Sequence, residues 1–387
     1  DEYDKPILDN IGDPAALTAA RAVMRDFYLR VKAADEYLRF VFMTGISKFS
    51  KLGVFSAMNN LMDISSNERY SAMLGYTQSE LLSYFDDYIA HVSGGLGIGK
   101  DALAEQIRNY YDGFSFDGKT SLYNPFSTLC FFAETKFKNY WFDTATPSFL
   151  AEYVKRHDLE AESFRGIETD EDFTSVAEIE DASPESFLYQ SGYLSVKERK
   201  DRKLILDYPN MEVLSSVALL FLREKYEVKH AGVAAIDTYT AFARGDAEAA
   251  AKIYDRLLAS IPYDIYEREE KKYAFFSKNG ESFAASYAES FYHAVLFAML
   301  WASGIHTVAE NHSYWGRSDI DAETNGIRYV IELKTAEGAE ASERAAEEGM
   351  RQIKAKGYAD KYEHAVLVSF SVDRITRRLG ASRFERF

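Results

Sequence analysis

A mixed α/β fold follows from three features of the 387-residue sequence. Asn325-Gly326 separates two alternating apolar stretches, a strong short-range hairpin signal because a type I′ turn needs positive φ at both central residues. Near the start, helical periodicity from about Pro14 to Ala34 leads into the apolar segment Tyr37–Met43, which predicts a strand ended by Thr44-Gly45. Near the end, the apolar run Ala365–Phe370 predicts a strand buried on both faces, as at the centre of a sheet.

In chain order, Asp13 is placed to cap the first helix, with Pro14 at its first position. From Asn67 to about Ala151 the pattern is mostly helical, with breaks at Gly94–Gly99 and Asp112–Asn124. The glycine-rich Gly94–Lys100 does not fit a phosphate loop, since Asp101 follows Lys100 and no strand precedes it. The acidic stretch Asp158–Asp172 reads as a solvated face or loop, and Tyr193–Lys197 and Lys203–Leu206 as short strands joined by Glu198–Arg202. Helices are expected at Glu212–Lys225 and Val233–Ser260, the second broken near Gly245 and restarted by an Asp246 cap. The polar stretch Glu267–Gly280 reads as a domain boundary. Beyond it come a helix from about Ser282 to Ser303, the hairpin, a charged helix from Ala339 to Lys356 and the last strand, in the order α-β-β-α-β.

Composition narrows the function classes. A hydrophobic content of 47% and an aromatic content of 15% suffice for real cores. One cysteine, Cys130, excludes an intrachain disulfide and a multi-cysteine zinc site, and fits a reducing, cytoplasmic location. The longest apolar run, around Phe291–Ile305, is too short for a typical membrane helix of about 20 residues. A net charge of −16 argues against constitutive binding along nucleic acid, which needs cations to neutralise phosphates. From Arg328 onward, however, 12 Lys/Arg face 10 Asp/Glu, so the tail is either a solvated terminus or a phosphate-contacting edge.

The hairpin carries the chemistry. Pairing about Asn325-Gly326 sets Asp319 opposite Glu332, with Cβ atoms roughly 4.5–5.5 Å apart on one face. Two facing carboxylates repel, and a divalent cation between them removes the penalty. Lys334, two residues beyond Glu332, projects from the same face. Mg²⁺ or Mn²⁺ held there serves phosphodiester hydrolysis, with Lys334 orienting water or offsetting developing charge. A one-residue slip would turn Asp319 away, and Asp321, on the same face, is the alternative ligand. An acidic-basic strand edge without a function is the competing interpretation.

The chain resembles a bacterial family in which an AAA-like ATPase region is fused to a C-terminal PD-(D/E)xK nuclease domain. The resemblance rests on Asp1-Glu2-Tyr3-Asp4-Lys5-Pro6, Phe42–Lys51, Asn59–Ile64, Tyr123-Asn124-Pro125-Phe126-Ser127, Tyr140-Trp141-Phe142 and Leu188–Leu194. Gly316-Arg317-Ser318-Asp319, Ile331-Glu332-Leu333-Lys334 and Gln352–Tyr358 complete it. It implies an AAA/P-loop-like region with a helical lid over residues 1–155, a helical/β middle region over 156–270 and a restriction-endonuclease-like domain over 271–387. Asp1 and Glu2 resemble the end of a Walker B motif, and Thr44 a sensor of the γ-phosphate. The family's phosphate loop lies upstream of that motif, so this chain, which starts at Asp1, is expected to be truncated or processed and to bind ATP poorly. Oligomers are expected through the ATPase region.

In the nuclease domain the resemblance adds Glu289 as a further metal-side carboxylate and Gln352 as a polar residue facing the metal, each also readable as a surface residue. Arg317 and Tyr358 are candidates for contacting substrate phosphate. His293, four residues beyond Glu289, reads as helix packing. The expected function is a metal-dependent nuclease acting on nucleic acid, most simply DNA, and coupled in the parent protein to an ATPase. The alternative is a regulatory ATP-binding protein whose nuclease-like domain binds nucleic acid or a partner without cleaving.

Overall fold

A computed structural model describes residues 2–10, 12–46, 61–145, 150, 154, 159–174, 183–277, 281–309, 319–355 and 365–386. The fold is mixed α/β and divides into two compact units, Asp1–Leu150 with Ser163–Val213, and Ala151–Glu162 with Leu214–Phe387.

In the first unit the helix Pro14–Ala33 starts as expected, its Asp13 side chain accepting from the N–H groups of Ala15 and Ala16. The segment after it corrects the sequence. Tyr37–Met43 forms no strand among the described residues, and Phe40 and Phe42 are exposed and stacked on each other. A strand is stabilised by its neighbours' ladder, and no described segment pairs with this one. The helices Gln78–Tyr84, Asp86–Leu96, Lys100–Tyr111 and Pro125–Glu134 enclose an aromatic-rich core containing Leu81, Phe85, Ile107, Tyr111, Phe131 and Phe132. Thr77 and Glu80 close the first of these helices with a capping box. At the glycine-rich break, Gly97 (φ 68°) ends one helix in the left-handed conformation.

A three-stranded antiparallel sheet, ordered β1-β3-β2, completes this unit. Its hairpin of β2 (Ser195–Lys200) and β3 (Lys203–Asp207) lies where the sequence placed it. Strand β1 (Ile167–Asp170) lies in the acidic stretch read as a solvated face or loop. It has one apolar residue and owes its strand conformation to pairing with β3, Ile167 opposite Leu206.

The second unit is built on a five-stranded sheet in the order β4-β5-β6-β7-β8. The strands are β4 (His306–Ala309), β5 (Asp319–Thr324), β6 (Ile327–Ala336), β7 (Ala365–Asp373) and β8 (Arg378–Arg386). All pairs are antiparallel except β6 with β7, which the crossover helix Ala339–Ala355 connects in parallel. Strand β7, interior to the sheet between β6 and β8, is buried along its whole length. On one face the crossover helix packs Met350 and Ile353 against Val330, Ala365 and Leu367. On the other face the helices Ala231–Ala243 and Ala247–Ser260 contribute Phe242, tilted against Tyr329, and Tyr254, stacked on Phe370. The Gly245 break and the Asp246 cap between them are as expected.

The polar stretch Glu267–Gly280 is not an open linker through its length, because a helix runs from Tyr263 to Ser277. Among its described side chains Arg268 and Lys271 are exposed, while Ile265 and Tyr266 of the same helix are buried. The basic tail is neither loose nor uniformly available to phosphate. It forms edge strand β8, and its arginines have internal partners: Arg378 on Asp255 (2.8 Å), Arg383 on Glu343, and Arg374 on Glu337 (2.8 Å). No helix among the described residues is long and apolar enough to cross a membrane.

Candidate active site

The β5–β6 hairpin turns at Asn325 (φ 51°) and Gly326 (φ 73°), both in the left-handed region that a two-residue turn of this kind requires. The register follows from that turn: Asp319 pairs with Glu332, Asp321 with Val330 and Glu323 with Arg328. Asp319 and Glu332 therefore stand opposite each other, and Lys334 shares their side of the sheet.

Glu332 is fully buried, and its Oε1 lies 2.6 Å from Nζ of Lys334, which retains partial access to solvent. Glu289, on the helix Glu281–Ala302, reaches the same neighbourhood. Burial pushes its carboxyl above the ordinary range, and the Lys334 ammonium opposes that rise. Glu332, Lys334 and Glu289 thus converge from one hairpin and one helix, and the backbone register sets Asp319 opposite Glu332. Among the described side chains no three His, Cys, Asp or Glu form a ready metal cage; Asp319 joins the group through its backbone register.

Asp321 is otherwise engaged, since Arg328 Nε contacts its Oδ1 at 2.8 Å and the same guanidinium reaches Glu323 at 3.0 Å. Gln352 is half-buried on the crossover helix, three residues beyond Gly349 and so on the same helix face. His293 packs with Phe297, ring centroids 4.9 Å apart, in keeping with a core role. Arg317 and Tyr358 lie outside the described residues, as does Asp1.

Sequence reasoning passed over what lies beneath Glu332. In the parallel register of β6 and β7, Glu332 pairs with Ser369 and Lys334 with Ser371. Both serines are fully buried. Gly349 of the crossover helix sits directly above, where an added Cβ would come within 2.3 Å of Ser369 Oγ and 3.2 Å of Glu332 Cγ. The available signal was the alternation of two small hydroxyl residues within an otherwise apolar strand.

The N-terminal candidates belong to the other unit. Tyr3 N–H donates to the Thr44 carbonyl at 2.9 Å, and Asp4 Oδ1 accepts from Ile46 N–H at 3.2 Å. These bonds bring exposed Glu2 and half-buried Thr44 into one neighbourhood. A second overlooked pattern lies in the loop after Tyr111. Gly113–Thr120 fits G-x-x-x-x-G-K-[ST] as a string, yet the loop is a bridge-closed turn, Phe114 pairing with Leu122. The N–H groups of Lys119 and Thr120, which would face a phosphate, donate to Asp117 at 2.8 and 2.7 Å. Lys119 itself contacts Glu68 at 2.6 Å, and the next helix begins only at Pro125. A carboxylate of the chain already occupies the anion-binding turn.

Comparison with known proteins agrees with this division. The profile described as "Predicted AAA-ATPase" matches residues 1–55, and that of the PD-(D/E)XK nuclease superfamily matches residues 287–375, which hold the hairpin, the crossover helix and β7. A protein of Azotobacter chroococcum mcd 1, described as "Uncharacterized protein in vnfD 5′ region", is 32% identical over 384 residues, covering 96% of this chain and 69% of its own. The chain belongs to the family that joins an AAA-ATPase-like region to a PD-(D/E)XK nuclease domain. No solved structure matches it. Within that family, the carboxylates and lysine that converge on the hairpin lie inside the nuclease match.

Proposed function

We propose that the C-terminal domain hydrolyses phosphodiester bonds of DNA with Mg²⁺ or Mn²⁺ held by Asp319 and Glu332, and with Glu289 as a further carboxylate. The observation that carries this reading is the register pairing of Asp319 with Glu332 beside Lys334, in a domain of the nuclease superfamily. Two facing carboxylates and a third nearby form a hard-oxygen donor set, which suits those cations better than softer metals. The chemistry such an ion supplies is Lewis acidity toward a phosphoryl oxygen. The chain's own groups do the rest. Glu332, shielded from water, lies against Lys334, whose ammonium is placed to offset charge developing on the phosphate. Gln352 offers an amide from the crossover helix to orient water or substrate. Arg317 and Tyr358 are proposed as phosphate contacts.

Binding to nucleic acid is expected to be weak or regulated, because the chain is acidic and the arginines of β8 are paired internally. ATP hydrolysis is proposed for the parent protein, with Glu2 polarising water and Thr44 near the γ-phosphate, and with assembly through that region. The test is cleavage of single- and double-stranded DNA and of RNA by the full chain in Mg²⁺, Mn²⁺ or EDTA. Metal-dependent cleavage lost in Glu332→Gln supports the reading. Binding of nucleic acid without cleavage under every condition supports the regulatory alternative instead.

A further inference from the structure

The geometry points to Ser369 as the positioning residue of Glu332: its hydroxyl donates to the Glu332 carboxylate when that group serves a divalent cation. This rests on the nuclease reading above and adds a residue to it. Strand β7 runs parallel to β6 with Ser369 level with Glu332, so both side chains leave the sheet on the same side. Ser369 is fully buried, and its Oγ has no hydrogen-bond partner among the described residues. A buried hydroxyl without a partner is costly, so such a group calls for a reason. The neighbours supply one. The position a Cβ on Gly349 would take is close to both Ser369 Oγ and Glu332 Cγ, so hydroxyl and carboxylate meet beneath the same point of the crossover helix.

The absence of a side chain at Gly349 keeps that space free, and rotation about one staggered bond redirects the Ser369 hydroxyl within it. Lys334 Nζ lies 2.6 Å from one oxygen of Glu332, and a carboxylate offers about four lone-pair sites, so it can accept from a hydroxyl as well. A charge-assisted bond there would fix the carboxylate's rotamer, as outer partners of metal ligands commonly do. Ser371 supplies an internal comparison. It is equally buried and its hydroxyl likewise has no partner among the described residues, but its register neighbour is Lys334, which only donates.

The test measures Mn²⁺ affinity of the full chain by electron paramagnetic resonance, with no substrate present. Ser369→Ala is expected to weaken Mn²⁺ binding by about tenfold or more, in the range seen when an outer partner of a ligand is removed. Ser371→Ala is expected to stay within twofold of the parent, with both variants melting alike in EDTA. Should Ser369→Ala not fold, Ser369→Cys keeps the volume, replaces the hydroxyl with a weak donor and should give the same loss. Equal affinity in Ser369→Ala and the parent would overturn the proposal and leave the nuclease reading standing. An equal loss in Ser371→Ala would also overturn it, as a packing effect. Mn²⁺ affinity untouched by Glu332→Gln would remove both.

Discussion

Lys334 Nζ lies 2.6 Å from Oε1 of Glu332, two residues away along one strand and on one face. Asp319 stands opposite that same glutamate. The two acidic residues therefore differ before any cation arrives: Glu332 has a cationic partner beside it on its own strand, whereas the register neighbour of Asp319 is another acidic residue.

The two neutralisations should accordingly differ in the metal-free protein. Asp319→Asn relieves a like-charge pair and is expected to stabilise by about 0.2–1 kcal/mol. Glu332→Gln removes a buried partner of Lys334 and is expected to destabilise by about 1–3 kcal/mol. Calorimetry in EDTA distinguishes them. Melting shifts of the same sign in both variants would contradict the asymmetry. Both variants should lose Mn²⁺ affinity.

Lys334→Ala separates binding from chemistry. The carboxylates remain, so the cation should still bind, while cleavage should fall by roughly 10²–10³-fold, the usual loss of one electrostatic partner of the transition state. Single-turnover cleavage at saturating Mn²⁺ gives the rate, and titration gives the affinity. Unchanged cleavage would remove Lys334 from the site.

The parts of the molecule read correctly from sequence are those in which local chemistry decides the conformation. Asn325-Gly326 dictates its turn, and the turn dictates that Asp319 meets Glu332. Asp13 and Asp246 cap the helices they were expected to cap. Failures occurred where pairing decides. Tyr37–Met43 is apolar enough for a strand but has no paired neighbour among the described residues, whereas Ile167–Asp170 is polar and becomes one because β3 lies beside it. Strand β8 carries three arginines in a tail that read as either a solvated terminus or a phosphate-contacting edge, yet its backbone pairs with β7 and its side chains reach Asp255, Glu343 and Glu347. Ser369 and Gly349 matter because a parallel crossover brings together residues 20 positions apart, which no local pattern announces.

Gly349→Ala tests the close approach of the crossover helix. A methyl group 2.3 Å from Ser369 Oγ cannot be accommodated without movement of the helix or the serine. The expected cost is about 1–3 kcal/mol, although alanine is the better helix former. Pairing it with Ser369→Gly should recover part of the loss. A stabilising effect of the single substitution would mean that the helix and strand leave room for a methyl group there.

Asp117 makes a prediction about acid stability. Burial alone would raise its carboxyl, but the N–H groups of Thr120 and Lys119 and the hydroxyls of Thr120 and Ser71 more than reverse this, to about 2. A folded-state value below the unfolded one means stability that is present above about pH 4 and lost as pH falls toward 2. Asp117→Asn should therefore destabilise the protein by about 1–3 kcal/mol at pH 7. The gap between variant and parent should close as pH falls through that window. A gap independent of pH from 7 to 2 would mean that the carboxylate's charge is not what holds the loop.

The same loop decides whether this chain binds nucleotide through Gly113–Thr120. The string has the glycines, lysine and threonine of a phosphate loop, and string matching alone would assign ATP to it. A phosphate needs free N–H donors and a following helix, however. Here Asp117 takes the N–H groups of Lys119 and Thr120, Lys119 turns to Glu68, and the helix starts beyond the bridge to Leu122. ATP would have to displace an internal carboxylate held by several hydrogen bonds and meet its negative charge. Calorimetry of this chain with Mg·ATP should show no binding in the micromolar range. Lys119→Ala should leave that result unchanged and cost little stability, since its exposed ion pair is worth about 0–1 kcal/mol. Micromolar binding that disappears in Lys119→Ala would mean that the loop opens to accept nucleotide.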